Sequence, residues 1–541
     1  MTDHTLDQQE VEWQFDAFDL RPIRRWLETG LGETEPRAVV GRIREISDTY
    51  LDSDDWRIYR AGYAMRVRRI KGKRPAEATL KSLNTGDEDS GLRRRREISQ
   101  VLDGATLEAL DDASGPVGGP ISALIGQKSL RVLFEVETRR TTYALTFDGS
   151  EVGEVALDET AIPLDNGVEP TRLRRVEVEV DSDAVSRLEP FVEHLRRECR
   201  LYPAVASKYE SGLLARKIVL PQPPEFGPTS VSGDPTTAEL AFRVLREQFS
   251  IFLAHEPGTR IGEDPEELHD MRVATRRMRA AMKIFENAVP VRTQKFRADF
   301  KWVAVALGNV RDLDVQLECL DAWVSGADPQ EREALEALRS ALEGQRMNQR
   351  TPMLRTLNSR RYARLVESFG EFLRRGPTRR AQAARRPIRA DAPDLVRGPY
   401  RKVRKLGDSL RQESSSEDYH ELCKRAKRLR YALESVSEIY GEPAKDLIKS
   451  LKNVQDLLGD HQDAVVASAQ VRYLRDASKS IRGLPPETMI ALESIAERYE
   501  AHALELRTEF PVVFDRIKGK RWNNLRNVMK KARSRDASGK I

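Results

Sequence analysis

The chain has 541 residues, enough for more than one hydrophobic core, and 33% of them are charged. It holds no apolar run of about 18 residues that could span a bilayer. Its start, MTDHTLDQQEVEWQF, lacks the apolar centre of a signal peptide, and Cys199, Cys319 and Cys423 form no CxxC pair. Transmembrane, disulfide-framework and zinc-site classes are therefore set aside, and a reducing cytoplasm is the expected compartment. The net charge of +5 hides an asymmetry: residues 1–220 carry 33 Lys+Arg against 40 Asp+Glu, and the remainder carries 58 against 46. That sign change points to two domains with different electrostatic tasks.

In chain order, the first half offers short segments of period-two alternation: VEWQF, YAMRVRR, EATLKSL, LRRRREI, LFEVETRRTTYALTF, EVGEVAL and RRVEVEV. Turn-like clusters such as LNTGDEDSG and FDGSE separate them. Residues of equal parity share a strand face, so Glu10 and Glu12 point the same way. So do Arg66 and Arg68; Thr79 and Lys81; Arg93, Arg95 and Glu97; Glu135, Glu137 and Arg139; and Glu177 and Glu179. One reading is an antiparallel sheet with a solvated face. The other is a closed barrel with a cationic wall for phosphates and an acidic wall for Mg2+ or Mn2+.

EVEWQ, AMRVR, TLK, the Arg95-x-Glu97 pair, the TRR segment, ALD ending at Asp158, VEVEV and SKYESGL together resemble a CYTH domain. The resemblance implies the triphosphate tunnel metalloenzyme fold, an eight-stranded antiparallel barrel, over residues 8–215. It also implies catalytic roles for Glu10, Glu12, Arg66, Arg68 and Lys81, and triphosphate contacts from Arg95, Arg139 and Lys208. Metal-linked carboxylates are implied at Glu10, Glu12, Glu177 and Glu179. Two departures stand out: Gln14 where the ExExK motif has lysine, and Ser99 where a carboxylate often follows the R-x-E pair. Loss of the lysine removes charge stabilisation from phosphoryl transfer. A Gln14→Lys substitution is accordingly expected to raise turnover.

Residues 219–237, VLPQPPEFGPTSVSGDPTT, carry five prolines without periodicity and read as a linker, with 216–236 as its extent. The second half, 237–530, is a repeat. LHDMRVATRRMRAAMKIF (268–285) forms an amphipathic helix: Met271, Ala274, Met278, Ala281, Met282 and Phe285 share one face. His269, Arg272, Arg276, Arg279 and Lys283 share another, without an acid. YHELCKRAKRLRYALESV, from Tyr419, aligns with it at an offset of 151, and ALGNVRDLDV meets LLGDHQDAVV at the same offset. His420, Lys424, Lys427 and Arg430 recreate the basic stripe. Glu434 enters it, and Cys423 replaces Arg272, with Lys424 as the substitute cation. Duplicated helices that brought both stripes to one groove would repel unless a polyanion lay between them.

HDMRVATRRMRAAMKIF, LGNVRDLDV, SRRYARL, KRLRYALE and DLLGDHQDAVV resemble a CHAD domain. That resemblance implies two four-helix repeats with a basic surface binding inorganic polyphosphate. Arg forks and Lys point charges suit such a ligand. The histidines keep a second reading, a neutral ring bonded within the bundle. Asp312 and Asp463 are expected to orient arginines. Arg374-Arg375, Arg379-Arg380 and Arg385-Arg386 fall in a stretch read as a mobile loop, for which a solubilising linker is the alternative. Arg401 and Lys402 of RKVRK are the better ligand candidates. Residues 531–541 are read as a basic tail, and KGKRWNNLRNVMKKARSR (518–535) as added charge carried by a disordered tail.

The combined expectation is an α+β multidomain protein: a barrel, then an all-α bundle, binding polyphosphate or triphosphate, in the cytoplasm and with polyphosphate granules. Two functions stay open, metal-dependent inorganic triphosphatase and non-catalytic polyphosphate scaffold with a degenerate tunnel. Nucleic acid is not expected, since no recognition module or run of stacking aromatics is present.

Overall fold

The computed structural model describes residues 7–32, 36–73, 75–83, 90–102, 115–147, 149–181, 183–231, 234–324, 329–377, 382–478 and 486–538. Two compact units divide the chain, Met1–Pro223 and Pro224–Ile541.

In the first unit the strands are β1 (Asp7–Asp16), β2 (Arg37–Ser53), β3 (Tyr63–Ile70), β4 (Ala76–Ser82), β5 (Leu92–Leu102), β6 (Leu130–Phe147), β7 (Ser150–Ile162), β8 (Thr171–Val180) and the short β9 (Tyr202–Pro203). Their order is β5-β4-β3-β2-β6-β7-β8-β1, and β1 pairs back onto β5. All these pairings are antiparallel. Eight strands thus form a closed barrel without a free edge. β2 went unlisted among the sequence segments. From Asp48 to Ser53 both of its parities are buried, so that half shows no wet face to read.

Helices α1 (Arg21–Thr29), α2 (Arg57–Arg60), α3 (Gly118–Ile125), α4 (Val185–Glu198) and α5 (Lys208–Ala215) accompany the barrel. Val11, Trp13 and Phe15, the apolar parity of β1, pack with Ile23 and Leu27 of α1 and with Phe191 and Leu195 of α4. Burial of that face fixes the register and turns Glu10, Glu12 and Gln14 the other way. α5 starts at a capping box: Ser207 accepts from the Glu210 amide, and Glu210 accepts from the Ser207 amide. A Cβ at Gly212 would collide with the Phe134 ring, so only glycine lets α5 lie this close to β6.

The second unit comprises α6 (Thr237–Ala254), α7 (Glu256–Ile261), α8 (Pro265–Ile284), α9 (Thr293–Val324), α10 (Pro329–Leu357), α11 (Arg360–Arg375), α12 (Ile388–Ser409), α13 (Ser416–Tyr440), α14 (Glu442–Ser478), α15 (Pro486–Asp515) and α16 (Lys520–Ser538). The quartets α6, α8, α9, α10 and α12, α13, α14, α15 are the two repeats: Pro265 and Ser416, the first residues of α8 and α13, stand 151 apart. Asp264 caps α8 and Ser415 caps α13 through side-chain acceptance of backbone N–H groups. The apolar face of α8, Met271 to Phe285, is at most 3% exposed and joins a core with Phe249, Phe252, Phe300 and Phe369.

Three readings need correction. α16 runs unbroken through residue 530 to Ser538, and Trp522 stacks on Tyr400 at 3.6 Å, so 531–538 are helix and not a disordered tail. Part of the proline-rich stretch is docked: Phe226 is 4% exposed and meets Phe249 at 4.8 Å, because it carries the one large apolar side chain near the linker's centre. Of the presumed loop, Arg374 and Arg375 close α11, and Arg386 pairs with Asp391 at 3.0 Å, while Arg379 and Arg380 lie outside the described residues.

Candidate functional site

The inward parity of the barrel surrounds a cavity of about 670 Å3 lined by charged side chains of both signs. β1 brings Glu10 opposite Arg95 of β5, and Glu12 and Gln14 opposite Glu179 and Glu177 of β8. Lys81 of β4 sits among three carboxylates: it contacts Glu10, and reaches Glu12 at 3.1 Å and Glu97 at 3.5 Å. Arg66 pairs with Glu97 at 3.3 Å. Arg68 grips Asp48 with two bonds of 2.8 and 2.9 Å. Lys208, delivered by the first turn of α5, meets Asp158 at 2.5 Å and Glu177 at 2.8 Å, and Arg140 contacts the same two acids.

The acids divide into two classes. Burial works against ionisation of Glu177, yet Lys208 and Arg140 hold it well below the usual glutamate value. Asp48 is likewise held low by Arg68 against burial. Glu10 is pushed up to about 8, by burial first and then by the neighbouring Glu12. Glu179 is also raised, by burial, Glu12 and Glu97. The side of the cavity that holds Glu10, Glu12, Glu97 and Glu179 thus carries more acids than cations, and its two cations, Arg66 and Lys81, hold Glu97 low against burial. Its donors are all oxygen, which is the donor chemistry that a hard divalent cation takes. Among the described residues no three such groups stand ready-spaced around a point. Glu177, expected as a metal ligand, has both oxygens engaged by Lys208 and Arg140.

In the helical unit α8 and α13 pack on one another. Arg276 Nε donates to the Tyr431 hydroxyl at 2.7 Å, and Arg277 lies 3.7 Å from Glu434. Arg430, half of the second stripe's C-terminal end, pairs with Glu434 at 3.3 Å. Arg272 lies over α9 at Gly308 and reaches Asp312 at 3.5 Å. Buried Arg311 is fixed by Glu318 at 2.8 Å and Glu266 at 3.4 Å. Asp463, the repeat partner of Asp312, is pushed up to about 6 by burial and Asp460, against the pull of Lys427. His269 and His420 are lowered by burial and adjacent cations.

A CYTH domain matches residues 27–212, and a CHAD domain matches residues 243–472. The chain is a CYTH domain followed by a CHAD domain. Two uncharacterized proteins of Mycobacterium tuberculosis, strains CDC 1551 / Oshkosh and ATCC 25618 / H37Rv, are each 27% identical over 252 residues. The match spans 44% of this chain and 45% of each relative, so the chain spans under half the length of those curated relatives. Among solved structures, the CHAD domain of the plant Ricinus communis is 22% identical, with a TM-score of 0.44, covering 53% of this chain and 93% of that one. PptA from Streptomyces chartreusis is 20% identical, with a TM-score of 0.41, covering 52% and 99%. HpAC1 of Hippeastrum, described with a dominant triphosphatase activity, is 15% identical, with a TM-score of 0.30, covering 39% and 98%.

Within the CYTH unit, Glu10, Glu12, Arg66, Arg68, Lys81, Arg95, Glu177, Glu179 and Lys208 all face or border one cavity. Arg139 does not. It projects from the barrel toward Glu159, and Arg140 takes the inward place, because Glu135, Glu137 and Arg139 form the exposed parity of β6. Both parities of that strand are charged there, so alternation alone could not choose. The register Arg140↔Asp158 was the usable signal. Arg93, also inward, was left unassigned. In the CHAD unit Lys424 is drawn outward to Glu417 at 3.3 Å and Glu421, so Lys427 is the cation facing Asp463. Lys283 pairs with Glu286 at 2.5 Å, and Arg401 and Lys402 stand exposed on α12. Arg311 and Tyr431 were missed; each is legible only through a partner distant in sequence.

Proposed function

We propose that the CYTH unit binds inorganic triphosphate with Mg2+ or Mn2+ and hydrolyses it, and that the CHAD unit binds inorganic polyphosphate. One observation carries the first part: a cavity lined by buried cations and buried carboxylates that are paired with one another. Arg66, Arg68, Lys81, Arg95, Arg140 and Lys208 would bind the phosphate chain and neutralise charge developing on the leaving group. Glu10, Glu12 and Glu179, with Glu97 beside them, would hold the metal. When bound, the metal supplies Lewis-acid polarisation of a phosphoryl oxygen. The protein's own part is to exclude water, orient the chain and exchange internal ion pairs for ligand contacts. Phosphate release from triphosphate, with each metal in turn, tests this. Loss of release in Glu10→Ala supports it, and equal release in that variant overturns it.

A second reading is a non-catalytic polyphosphate scaffold with a ligand-binding tunnel. Gln14 favours it, for this neutral side chain sits where a cation is expected, donating to Glu12 at 2.9 Å. Tight binding of triphosphate without metal-dependent turnover would select it. In either reading His269, Arg272, Arg276, Arg279, Lys427, Arg430 and Arg311 form the polyphosphate surface. Residence in the cytoplasm at polyphosphate granules follows from that ligand and is tested by co-sedimentation with granules.

A further inference from the structure

Two cations in the CYTH cavity differ from the others. Arg66, Arg68, Lys81, Arg140 and Lys208 each have a carboxylate partner within ion-pair distance. Arg93 and Arg95 have none among the described residues, although each is only 7% exposed. They are neighbours on the inward face of β5, two positions apart. Arg95 Nη2 donates to the side-chain Oε1 of Gln14 at 3.5 Å, and its Nε is buried without an acceptor. Arg93 Nη2 donates to the carbonyl oxygen of Ala204 at 2.5 Å. Two adjacent guanidinium groups, out of water and without an ion-pair partner, raise each other's free energy, and burial with Arg95 nearby lowers the Arg93 pKa from the usual arginine value, against the weaker pull of Glu210 and Glu12. Such a pair is stable at the wall of a cavity when an anion completes it.

Gln14 belongs to the same arrangement. Its amide nitrogen donates to Glu12 and its oxygen accepts from Arg95, so it needs one donor and one acceptor. Lysine here would offer donors only, and would place a third cation against Arg95. Register sets Arg93 directly across from Glu12, on the strand adjoining Gln14. We propose that Arg93, Arg95 and the Gln14 amide form a phosphate subsite in which Arg93 supplies the positive charge that Gln14 does not. This rests on the reading of the cavity as a triphosphate site. It reverses the expectation drawn from the motif alone: Gln14→Lys lowers triphosphate affinity in the otherwise intact chain.

The test is titration of the full chain with inorganic triphosphate at fixed ionic strength, for wild type, Arg93→Gln, Gln14→Lys and the Arg93→Gln/Gln14→Lys double variant, with thermal unfolding of each. Arg93→Gln should weaken binding at least tenfold while leaving the melting temperature equal or higher, since a buried repulsion is removed. Gln14→Lys alone should weaken binding, and the double variant should regain most of the loss because one cation replaces the other. Arg93→Gln binding within twofold of wild type overturns the inference. So does a lowered melting temperature with unchanged affinity, which would make Arg93 only a tether for Ala204. Arg66→Gln separates the two levels. If it abolishes binding while Arg93→Gln does not, only the subsite fails. If wild type binds no triphosphate, the reading of the cavity fails and the subsite with it.

Discussion

The CYTH and CHAD units both gather cations, but they neutralise them differently. In the barrel, Asp48 is 1% exposed and Asp158 0%, and Arg68, Arg140 and Lys208 are locked onto them within a closed wall. In the bundle, the Arg272 and Asp312 side chains are 32% and 66% exposed and lie 3.5 Å apart. Buried pairs are costly to break, because removing one partner strands a desolvated charge. Half-exposed pairs are screened, and exchange readily for a ligand. On the proposed function, the tunnel would trade buried internal partners for substrate, whereas the stripe would give up only half-exposed partners and counterions.

The sharpest way to break that comparison is to strip one partner in each unit. Arg68→Met leaves Asp48 buried without its ion-pair partner, with only the more distant Arg66 and Lys208 to offset its charge, and should destabilise the CYTH unit by about 3–5 kcal/mol. Arg272→Met should cost the CHAD unit under about 1 kcal/mol. Denaturant unfolding followed separately in each unit would check both. The pH dependence gives a second readout. Asp48 is depressed in the folded state, so its stabilisation is complete above the unfolded carboxylate pKa and is lost as pH falls through that value toward the folded one. Arg68→Met should remove this acid limb. Similar losses in both units would mean that burial does not separate them.

Next in size is the salt response. Replacing Arg272, Arg276 and Arg279 by Gln leaves the apolar face of α8 untouched, so the fold should persist. Polyphosphate affinity should fall steeply, and the slope of log affinity against log salt should lose about 2–3 units, by analogy with nucleic acids. Arg277→Gln, whose side chain is already turned to Glu434, should change the slope by less than about one unit. Titration at several salt concentrations decides the matter. A triple variant that binds like wild type would reduce the stripe to a solvated face.

What the sequence made legible follows the same division. Period-two and 3.6-residue patterns expose any element with one wet and one dry face, so seven barrel strands and the α8 stripe could be read directly. β2 was not, since its Asp48 and Tyr50 point into a charged interior that mimics neither water nor core. Pairing across strands and repeats is invisible to periodicity. That is why Arg139 was chosen over Arg140, and why Tyr431, 155 residues from Arg276, was overlooked. Motif resemblance supplied Glu10, Glu12 and Lys208, which alternation alone could not have distinguished from a solvated face.

A smaller effect concerns proton coupling in the CHAD unit. Asp463, at about 6, faces Lys427, with Asp460 on its own helix and Asp312 and Arg311 on α9. Its folded value is raised, so between the unfolded aspartate pKa and about 6 the folded state holds the extra proton and stability falls as pH rises. Ionised Asp463 also competes for Lys427, so polyphosphate affinity should fall as pH rises through 6. Asp463→Asn should flatten that part of the profile, leaving any residual slope to His269 and His420. A profile unchanged by Asp463→Asn would assign the whole effect to the histidines.

The smallest expected effect probes the seam where the two CHAD repeats touch. Arg276 is a stripe cation whose hydrogen bond crosses to the other repeat, through the Tyr431 hydroxyl at 2.7 Å. Tyr431→Phe keeps the ring, and with it the contact with Arg430, whose guanidinium lies 5.3 Å from the ring centroid. Only the acceptor is lost. A hydrogen bond to a charged group contributes about 1.5–3 kcal/mol, and Arg276 is only partly buried, so water can replace the hydroxyl and the low end applies. The freed guanidinium then costs the ligand no internal partner. Polyphosphate should bind Tyr431→Phe no more weakly than wild type, and at most a few-fold tighter. Weaker binding would show that Tyr431 positions Arg276 for the ligand, and would make the seam part of the binding surface.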